Sequence, residues 1–388
     1  MQKIHEQSIE AHKKYRGKIA ISGKMPVNDK RELSIAYTPG VAGPCLEIAK
    51  NPEMAREMVA SKNTVAVITD GSAVLGLGNI GPEAALPVME GKALIFKEFA
   101  GIDAFPIALD TQDTEEIIRT IKHIAPTFGG INIEDIAAPR CFEIENRLRN
   151  ELSIPVIHDD QNGTAIVVLA GLINSLKLRE SSKEDVRIVI SGAGAAGIAV
   201  TKILLEYGFK NIVVNDSKGA IYHGQDNLNE EKEKISKLTN TACHSDKEDP
   251  ECMTGDLKES IKNADIFVGV SKGGILTKEM VKEMAPNPII FAMANPDPEI
   301  LPADAKEAGA YIVATGRSDY PNQVNNALVF PGLFRGALDN NIKKFDEKIF
   351  IRVAEALAEV VKKPTTENIL PSVFDKNVVP TIANVFKR

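Results

Sequence analysis

Short apolar runs that end in acidic residues are the clearest pattern along this chain. Two of them, residues 130–133 and 154–157, have the length of buried strands and are bounded by turn residues. The apolar positions between the two runs are spaced like one face of a helix: Phe142, Ile144, Leu148 and Leu152. The segment is therefore predicted to fold as a strand, a helix and a second strand.

The residues before this segment contain more short strands and amphipathic helices. Strands are predicted over residues 64–68, 92–96 and 105–109. Helices are predicted over residues 3–19, 41–48 and 84–89. Asp113 and Glu116 have the spacing of a capping box, which predicts the start of another helix. The inner face of that helix would carry four isoleucines: Ile117, Ile118, Ile121 and Ile124.

The rest of the chain alternates strands and helices. A strongly apolar helix is predicted to follow Asn162-Gly163-Thr164 and to run to about residue 178. The expected strands after it are residues 186–190, 211–214, 265–270, 288–293 and 311–314. The polar residues 223–259 are interpreted as an insertion or a mobile surface excursion, and the tail from residue 346 as an amphipathic helix.

The pattern Gly-x-Gly-x-x-Gly occurs twice, at residues 76–81 and 192–197. Only the second copy lies between a predicted strand and a helix with an acidic residue, Asp216, at the end of the next strand. Its residues would let backbone N–H groups approach a pyrophosphate: Gly192, Gly194, Ala195, Ala196 and Gly197. The alternative is a tight turn with a solvated aspartate. The first copy, which Pro82 follows, is interpreted as a turn or a wall of the substrate pocket.

Asp216 would accept hydrogen bonds from the ribose hydroxyls and would repel a 2′-phosphate, which favours NAD. Ser217 and Lys218 follow it directly and could offset that repulsion, so that NADP would also be accepted. The sequence leaves the choice between NAD and NADP open.

Four carboxylates follow the strands of the first segment: Glu134, Asp135, Asp159 and Asp160. The carboxyl ends of the strands in an open parallel sheet lie side by side and form the ligand crevice. Carboxylates that share a crevice raise one another's pKa, and a divalent cation with oxygen ligands is the simplest counter-charge. Acidic residues are also common as helix caps and at solvated loop ends, and this stretch alone does not decide between these interpretations.

The predicted fold is α/β with two domains and a tail. An N-terminal α/β substrate and metal domain would comprise residues 1–160, and a Rossmann-type doubly wound dinucleotide-binding domain residues 161–335. A C-terminal helical tail would comprise residues 336–388. The active site is expected in the cleft between the two domains.

Composition excludes several classes of protein. A net charge of -7 without a basic run makes nucleic acid and anionic membrane unlikely partners. No apolar stretch is long enough to span a bilayer, and the charged N-terminus does not resemble a signal peptide. The four cysteines, Cys45, Cys141, Cys243 and Cys252, show no CxxC pairing or disulfide framework. A soluble cytoplasmic protein with reduced cysteines is expected.

Eight short segments, in order, resemble the malic enzymes of the short bacterial type. They are AYTPGVA (36–42), LGLGNIG (75–81), GK (91–92), NIED (132–135), HDDQNGTA (158–165), GAGAAG (192–197), FAMANPDPE (291–299) and VNNALVFPG (324–332). The resemblance extends from Ser34 to Gly336 and is weakest in residues 223–259 and in the tail.

The resemblance implies oxidative decarboxylation of (S)-malate to pyruvate and carbon dioxide, with NAD or NADP and Mg²⁺ or Mn²⁺, in a homodimer. It implies three metal ligands: Glu134, Asp135 and Asp160. Lys92 would take the proton of the malate hydroxyl, Tyr37 would protonate the enolpyruvate carbon, and Asp159 would orient the catalytic groups. The substrate carboxylate would be bound by Asn295, which would also lie beside the cofactor, and by Asn325 or Asn326.

The chemistry accounts for these residue types. A lysine desolvated beside a cation can have its pKa lowered enough to act as a base, and a chelated divalent ion supplies the Lewis acidity for decarboxylation. Taken alone, Lys92 would more often be a surface lysine and Tyr37 a packing residue, whereas Asn295 could be a turn residue. His158 is interpreted as structural, because Mg²⁺ prefers oxygen ligands.

One position departs from the family pattern. The larger malic enzymes have an arginine after the Asp-Gly-Ser turn that binds the malate carboxylate, whereas this chain has Ala73. Another cation or a residue of a partner subunit would have to replace it, and Arg317 and Lys97 are candidates.

Other functions fit parts of the pattern. The nearest is a metal-dependent oxaloacetate decarboxylase or a malolactic-type enzyme without net redox change, which would not accumulate reduced nicotinamide. An amino-acid dehydrogenase would share the two-domain plan but would not need four carboxylates at two strand ends. A nucleotide-sensing module would not need the whole set of residues that the resemblance assigns to catalysis and metal binding.

Overall fold

The first part of the protein is built around a four-stranded parallel sheet in this computed structural model, which describes residues 2–244, 249 and 251–387. Its helices and strands are α1 (Gln2–Tyr15), α2 (Lys30–Ala36), α3 (Ala42–Lys50), α4 (Ala55–Met58), β1 (Thr64–Thr69), α5 (Pro82–Ala100), β2 (Asp103–Ala108), α6 (Thr114–Ile124), β3 (Gly130–Ile133), α7 (Arg140–Glu151) and β4 (Val156–His158). The strand order is β2-β1-β3-β4. All three pairings are parallel, so the acidic residues that follow β3 and β4 lie at one edge of the sheet.

The second part contains a six-stranded sheet. Its elements are α8 (Asp159–Arg179), β5 (Arg187–Ser191), α9 (Ala195–Tyr207), β6 (Asn211–Asp216), β7 (Gly219–Ala220), α10 (Glu230–Ser236), α11 (Leu257–Ser260), β8 (Ile266–Gly269), α12 (Lys278–Lys282), β9 (Ile289–Ala292), α13 (Pro302–Glu307), β10 (Ile312–Thr315), α14 (Phe330–Asp339), α15 (Glu347–Val360) and α16 (Val378–Asn384). The strand order is β10-β9-β8-β5-β6-β7, and only β7 is antiparallel. The chain leaves β5 towards β6 and returns to β8 on its other side, which creates the crevice where dinucleotides bind in doubly wound sheets. The predicted α/β fold with a Rossmann-type part is confirmed.

Helix α8 connects the last strand of the first sheet, β4, to the first strand of the second, β5. Fourteen of its 21 residues are buried, so it has no wide solvent face, as expected of a helix that is apolar nearly all round. It packs against α9 and α15, and one continuous apolar core includes residues from both sheets, such as Val65 and Ile188. No helix among the described residues has the length and apolarity that a membrane crossing requires.

Two local predictions are wrong. Residues 92–96 are not a strand but the middle of α5, whose buried positions follow a helical period: Ala85, Met89, Lys92, Ala93 and Phe96. Because five residues sample a period poorly, an apolar run of this length does not separate a strand from a buried helix segment. The apolar helix does not begin after Asn162-Gly163-Thr164, because α8 already begins at Asp159 and contains these residues.

The expectation of reduced cysteines also needs correction. Cys243 and Cys252 form a disulfide, whereas Cys45 and Cys141 are free. The two bonded residues lie within the polar segment 223–259, which also contains α10 and α11. Residues 245–248 and 250 of that segment lie outside the described residues.

Candidate active site

Three carboxylates meet at the carboxyl edge of the four-stranded sheet. One oxygen each from Glu134, Asp135 and Asp160 lies within 4.8 Å of the others. Glu134 and Asp135 are almost fully buried, and the Asp135 backbone N–H donates to Asp160 Oδ2 at 2.8 Å. Asp135 Oδ2 is buried without a hydrogen-bond partner among the described residues. A buried acceptor without a donor, beside two further carboxylates, fits a hard divalent cation.

The loop after β3 is held in an unusual conformation at Asp135. Its φ angle of 54° places this residue in the left-handed region, which non-glycine residues seldom adopt. Two hydrogen bonds between this loop and the residues after β1 keep it there: Ala73 N–H donates to the Asp135 carbonyl, and Ala137 N–H of the loop donates to Ser72 Oγ, both at 2.9 Å. Ala73 therefore contributes a backbone N–H to the site, although it has no arginine side chain to bind a carboxylate.

Lys92 enters the cluster from α5. Its ammonium lies 3.0 Å from Glu134 Oε1, makes a short hydrogen bond to Asp159 Oδ2 and sits 4.3 Å from the centre of the Phe330 ring. Only 7% of Lys92 is exposed. Burial by itself would lower the pKa of Lys92, but the charges of Asp159 and Glu134 outweigh burial and raise that pKa above its usual value. This direction is opposite to the lowered pKa expected of a catalytic base.

Burial and mutual repulsion raise the pKa values of the surrounding carboxyl groups. Burial is the main cause for Glu134, whose pKa lies well above its usual value, and the charge of Asp160 adds to it. Burial and Asp160 likewise raise the pKa of Asp135 to about 8. Burial raises the pKa of Asp159 to about 6, although Lys92 opposes the change. Without a further cation, these carboxyl groups therefore cannot all be ionised at neutral pH.

Gly163 makes room for the carboxylate of Asp159. A Cβ atom built on Gly163 would lie 2.0 Å from Asp159 Oδ1, well inside van der Waals contact. This glycine inside α8 thus allows the close approach of the Asp159 side chain.

A cavity of about 560 Å³ joins this cluster to the second sheet. Residues of the first part that line it include Lys92, Glu134, Asp135 and Asp160. Residues of the second part include Gly194, Ala195, Ala196, Ser271, Asn295, Asn325 and Asn326. Gly76 of the first glycine motif also lines it, and a Cβ on Gly76 would lie 2.1 Å from the Asn295 carbonyl oxygen. The cavity thus brings together predicted metal, catalytic, substrate and cofactor residues.

The second glycine motif forms a tight strand-to-helix turn. Gly192 has a φ angle of 119°, and a Cβ there would lie 2.6 Å from the Val270 carbonyl oxygen. A Cβ on Gly197 would lie 1.8 Å from the Gly192 carbonyl oxygen, so the first turn of α9 packs directly on the loop. Gly194 is the N-cap of α9, whose N-terminus therefore faces the crevice with free backbone N–H groups.

A second cavity, of about 720 Å³, extends from this turn to the end of β6. It shares Gly194 and Ser271 with the first cavity and is also lined by Asp216, Ser217 and Lys218. Both oxygens of Asp216 have donors: Lys218 N–H at 2.7 Å and the ammonium of Lys232 at 2.5 Å. Burial would raise the pKa of Asp216, but these hydrogen bonds outweigh burial and lower it.

The structure leaves several predicted residues away from the cavity. Tyr37 is 67% exposed and does not line it. Arg317 is paired with Asp319 at 2.6 Å, and Lys97 with Asp103 at 2.7 Å, so neither candidate replacement for the missing arginine lies there. His158 does line the cavity, with Nδ1 3.8 Å from Asp160 Oδ2.

Two residues near the site were missed by reasoning from sequence. Lys232 lies in the polar segment interpreted as an insertion, and only its position on α10 brings it to Asp216. Glu145 is a buried carboxylate on α7 that bonds to residues on both sides of Asp159 and Asp160. A glutamate among the inward positions of a predicted amphipathic helix was the available signal.

The fold and site together define a dinucleotide-binding α/β enzyme with a buried lysine and carboxylates in the interdomain cavity. Two family models match the chain, "Malic enzyme, N-terminal domain" over residues 16–149 and "Malic enzyme, NAD binding domain" over residues 161–385. The chain belongs to the malic enzyme family, as the sequence motifs predicted.

Individual relatives agree with this assignment. The chain is 54% identical over 383 residues to the bifunctional malic/malolactic enzyme of Bacillus subtilis (strain 168), which covers 98% of this chain and 91% of the relative. It is 54% identical over 368 residues to the NAD-dependent malic enzyme of Geobacillus stearothermophilus, covering 94% and 75% respectively. The crystal structure of the NAD-dependent malic enzyme from Thermotoga maritima superposes with a TM-score of 0.92 at 48% identity, covering 98% of both chains.

Proposed function

We propose that the protein oxidatively decarboxylates (S)-malate to pyruvate and carbon dioxide while reducing NAD or NADP, with Mg²⁺ or Mn²⁺ as the metal. The observation that carries this proposal is the position of Lys92. Its ammonium lies between Glu134 and Asp159 in the cavity that continues into the dinucleotide crevice. One substrate in this cavity would thus lie beside a proton acceptor, Lys92, beside the carboxylate ligands of a metal, and beside the nicotinamide that accepts the hydride.

Glu134, Asp135 and Asp160 would hold the metal. The partnerless oxygen of Asp135 and the raised pKa values of Glu134 and Asp135 support this assignment. When bound, the ion would polarise the hydroxyl and carbonyl oxygens of the substrate as a Lewis acid. Three anionic oxygen ligands match the preference of Mg²⁺ and Mn²⁺.

The neutral amine form of Lys92 would accept the proton of the malate hydroxyl. Two of the three carboxylates that raise its pKa, Glu134 and Asp160, are groups that a metal would engage, whereas burial acts in the opposite direction. Cation binding by Glu134 and Asp160 would therefore shift the balance towards the neutral amine. Asp159 would keep the Lys92 nitrogen oriented towards the substrate through their hydrogen bond.

The malate carboxylates would rely on amide donors. Among the described residues that line the cavity, Lys92 is the only lysine or arginine. Asn295, Asn325 and Asn326 line it too. Asn325 already uses Oδ1 to accept from the Ala327 N–H at 2.8 Å, which leaves its NH₂ group for a carboxylate.

Tyr37 would act in a homodimer. It belongs to an N-terminal segment that exposes many large apolar side chains, including Ile21, Met25, Val27, Leu33, Ile35, Tyr37 and Leu46. A high density of exposed large apolar side chains in one segment is typical of a protein–protein interface. Association of two copies would bury this segment. It would also bring Tyr37 of one copy to the substrate cavity of the other.

NADP is expected to be accepted as well as NAD. Lys232 pairs with Asp216 and donates a hydrogen bond to its Oδ2. Lys218, Lys258 and Lys272 line the same cavity. A 2′-phosphate would compete with Asp216 for Lys232, which would offset the repulsion that Asp216 alone exerts.

The cytoplasm remains the predicted location. Its support is the composition of the chain and the absence of a membrane-crossing helix among the described residues. The Cys243–Cys252 disulfide is unusual for a reducing compartment, so it does not add to that support.

The test is absorbance of reduced nicotinamide with purified protein, L-malate and Mn²⁺, run with NAD and NADP in parallel. We expect metal-dependent growth of the signal that a chelator abolishes, with pyruvate as product. Consumption of malate with lactate as product and a flat trace would replace the proposal by the non-redox alternative. No consumption of malate with either cofactor would contradict both the proposal and the malolactic-type alternative.

A further inference from the structure

Glu145 lies behind the metal-ligand cluster and does not line the cavity that contains it. It is 5% exposed and belongs to α7. The lining of the substrate cavity includes His158 and Asp160 but not Glu145. Glu145 lines instead a separate cavity of about 750 Å³ together with Gln161 and Asn162. Any effect of Glu145 on chemistry must therefore pass through other residues.

Three donors converge on the Glu145 carboxylate. Oε1 accepts from the His158 backbone N–H at 3.0 Å and from Asn162 Nδ2 at 2.7 Å. Oε2 accepts from Gln161 Nε2 at 3.2 Å. These donors lie on both sides of the sequence Asp159-Asp160, so one carboxylate fixes the junction of β4 and α8 at each end.

That junction sets the positions of two functional carboxylates. Asp159 contacts Lys92, and Asp160 accepts from the Asp135 N–H. Both contacts depend on where the first turn of α8 begins. A displacement of this turn would therefore weaken the lysine contact and open the proposed metal site together.

A carboxylate is the side chain that suits this position. Only an ionised carboxylate presents acceptors on both oxygens and no donor. Glutamine would turn an NH₂ group towards one of the three donors, and aspartate is one methylene too short to reach all of them. The cation nearest on the same helix, Arg149, is 4.0 Å from Glu145 Oε1 and partly balances its charge.

We propose that Glu145 is a positioning residue of the active site, which holds residues 158–162 so that Asp159 meets Lys92 and Asp160 meets Asp135. This inference takes one point from the proposed function, that Glu134, Asp135 and Asp160 bind the metal. It assigns Glu145 no contact with substrate, cofactor or metal.

The test compares Glu145→Gln with Glu143→Gln. Glu143 is an exposed neighbour on the same helix that pairs with Arg147. Binding of Mn²⁺ alone is measured by electron paramagnetic resonance of the free ion, without malate or cofactor, and NADH binding by fluorescence. We expect Glu145→Gln to weaken Mn²⁺ affinity by about tenfold or more, as is usual when a residue that orients metal ligands is lost. NADH affinity should change less than about twofold, and Glu143→Gln should match the wild type.

A second variant, Asn162→Ala, tests the same inference if Glu145→Gln does not fold. Asn162→Ala removes one donor and leaves the carboxylate intact, and we expect a smaller loss of Mn²⁺ affinity with unchanged NADH binding. Wild-type Mn²⁺ affinity in the folded variants would overturn the inference, and so would an equal loss of Mn²⁺ and NADH affinity. Since Mn²⁺ binding is measured without turnover, an inactive wild type that binds Mn²⁺ would count against the proposed function and not against Glu145.

Discussion

Replacing Lys92 with methionine removes a cation that contacts two buried carboxylates, Glu134 and Asp159. The lysine ammonium lies 3.0 Å from Glu134 Oε1 and makes a hydrogen bond to Asp159 Oδ2. Methionine fills a similar volume and can rest on the Phe330 ring, so the change is mainly one of charge. We expect Lys92→Met to lose turnover, to keep cofactor binding and to destabilise the metal-free protein.

The size of the destabilisation follows from burial. Removing one partner of a buried ion pair usually costs about 3–5 kcal/mol, because the other charge is left without compensation. For 388 residues that unfold as one unit, this loss lowers the unfolding temperature by about 4–6 °C. The free energy of unfolding should fall by that amount at alkaline pH and without metal.

The pH dependence of the loss has a definite sign. The folded-state pKa of Asp159 is raised to about 6, above its unfolded value, so folding favours its protonated form. Stability is therefore lost as pH rises from the unfolded pKa through the folded one. Without Lys92 the folded pKa values of Asp159 and Glu134 rise further. The difference between variant and wild type should be small at pH 5 and largest near pH 8.

The assay is urea unfolding at pH 5 and pH 8, with and without Mg²⁺. Lys97→Met is the matched control, since Lys97 lies on the same helix and forms an exposed ion pair with Asp103 that is worth about 0–1 kcal/mol. Mg²⁺ should restore part of the stability of Lys92→Met at pH 8. A loss that is equal at both pH values, or no larger than that of Lys97→Met, would refute the electrostatic reasoning.

Two further predictions concern single side chains. Gly163→Ala places a methyl group 2.0 Å from Asp159 Oδ1 and should cost about 1–3 kcal/mol of stability, with a loss of turnover; wild-type kinetics and urea unfolding would contradict it. Lys232→Gln should weaken NADPH binding by about tenfold or more relative to NADH, because one cation near Asp216 is lost. Fluorescence titration measures both affinities, Lys234→Gln is the exposed control on the same helix, and equal effects on the two cofactors would refute the assignment.

Sequence reasoning located the strand ends because they depend on local patterns. The runs before Glu134 and Asp159 are short, apolar and bounded by turn residues, and the structure makes them parallel neighbours. The glycine turn at 192–197 was equally local, since strand, turn and helix follow one another directly. The strand predicted over residues 92–96 was wrong because no local pattern decides the structure there. Their apolar character is shared by a strand and by a buried helix face, and only the packing of α5 decides between them.

Contacts between distant parts of the chain could not be predicted in this way. Lys232 reaches Asp216, the last residue of β6, from α10, which packs against α9. Glu145 meets residues 158–162 because α7 returns along the sheet to β4. Neither pair has a characteristic spacing in the sequence. Both involve polar residues, whose burial follows from tertiary packing and not from local preference.

The position of Lys92 changes the argument that first suggested a metal. Four ionised carboxylates against one lysine leave three negative charges, and a divalent cation reduces the excess to one. A malate dianion restores it to three, which the positive nicotinamide ring of the oxidised cofactor only partly offsets. The raised pKa values of Asp159 and Asp135 indicate that protons absorb part of the excess in the metal-free protein. Binding of the divalent cation should therefore release protons near neutral pH, because the ion takes the place of protons at these carboxyl groups; a pH-stat titration of the metal-free protein with Mg²⁺ measures the release, and a titration without proton release would contradict this argument.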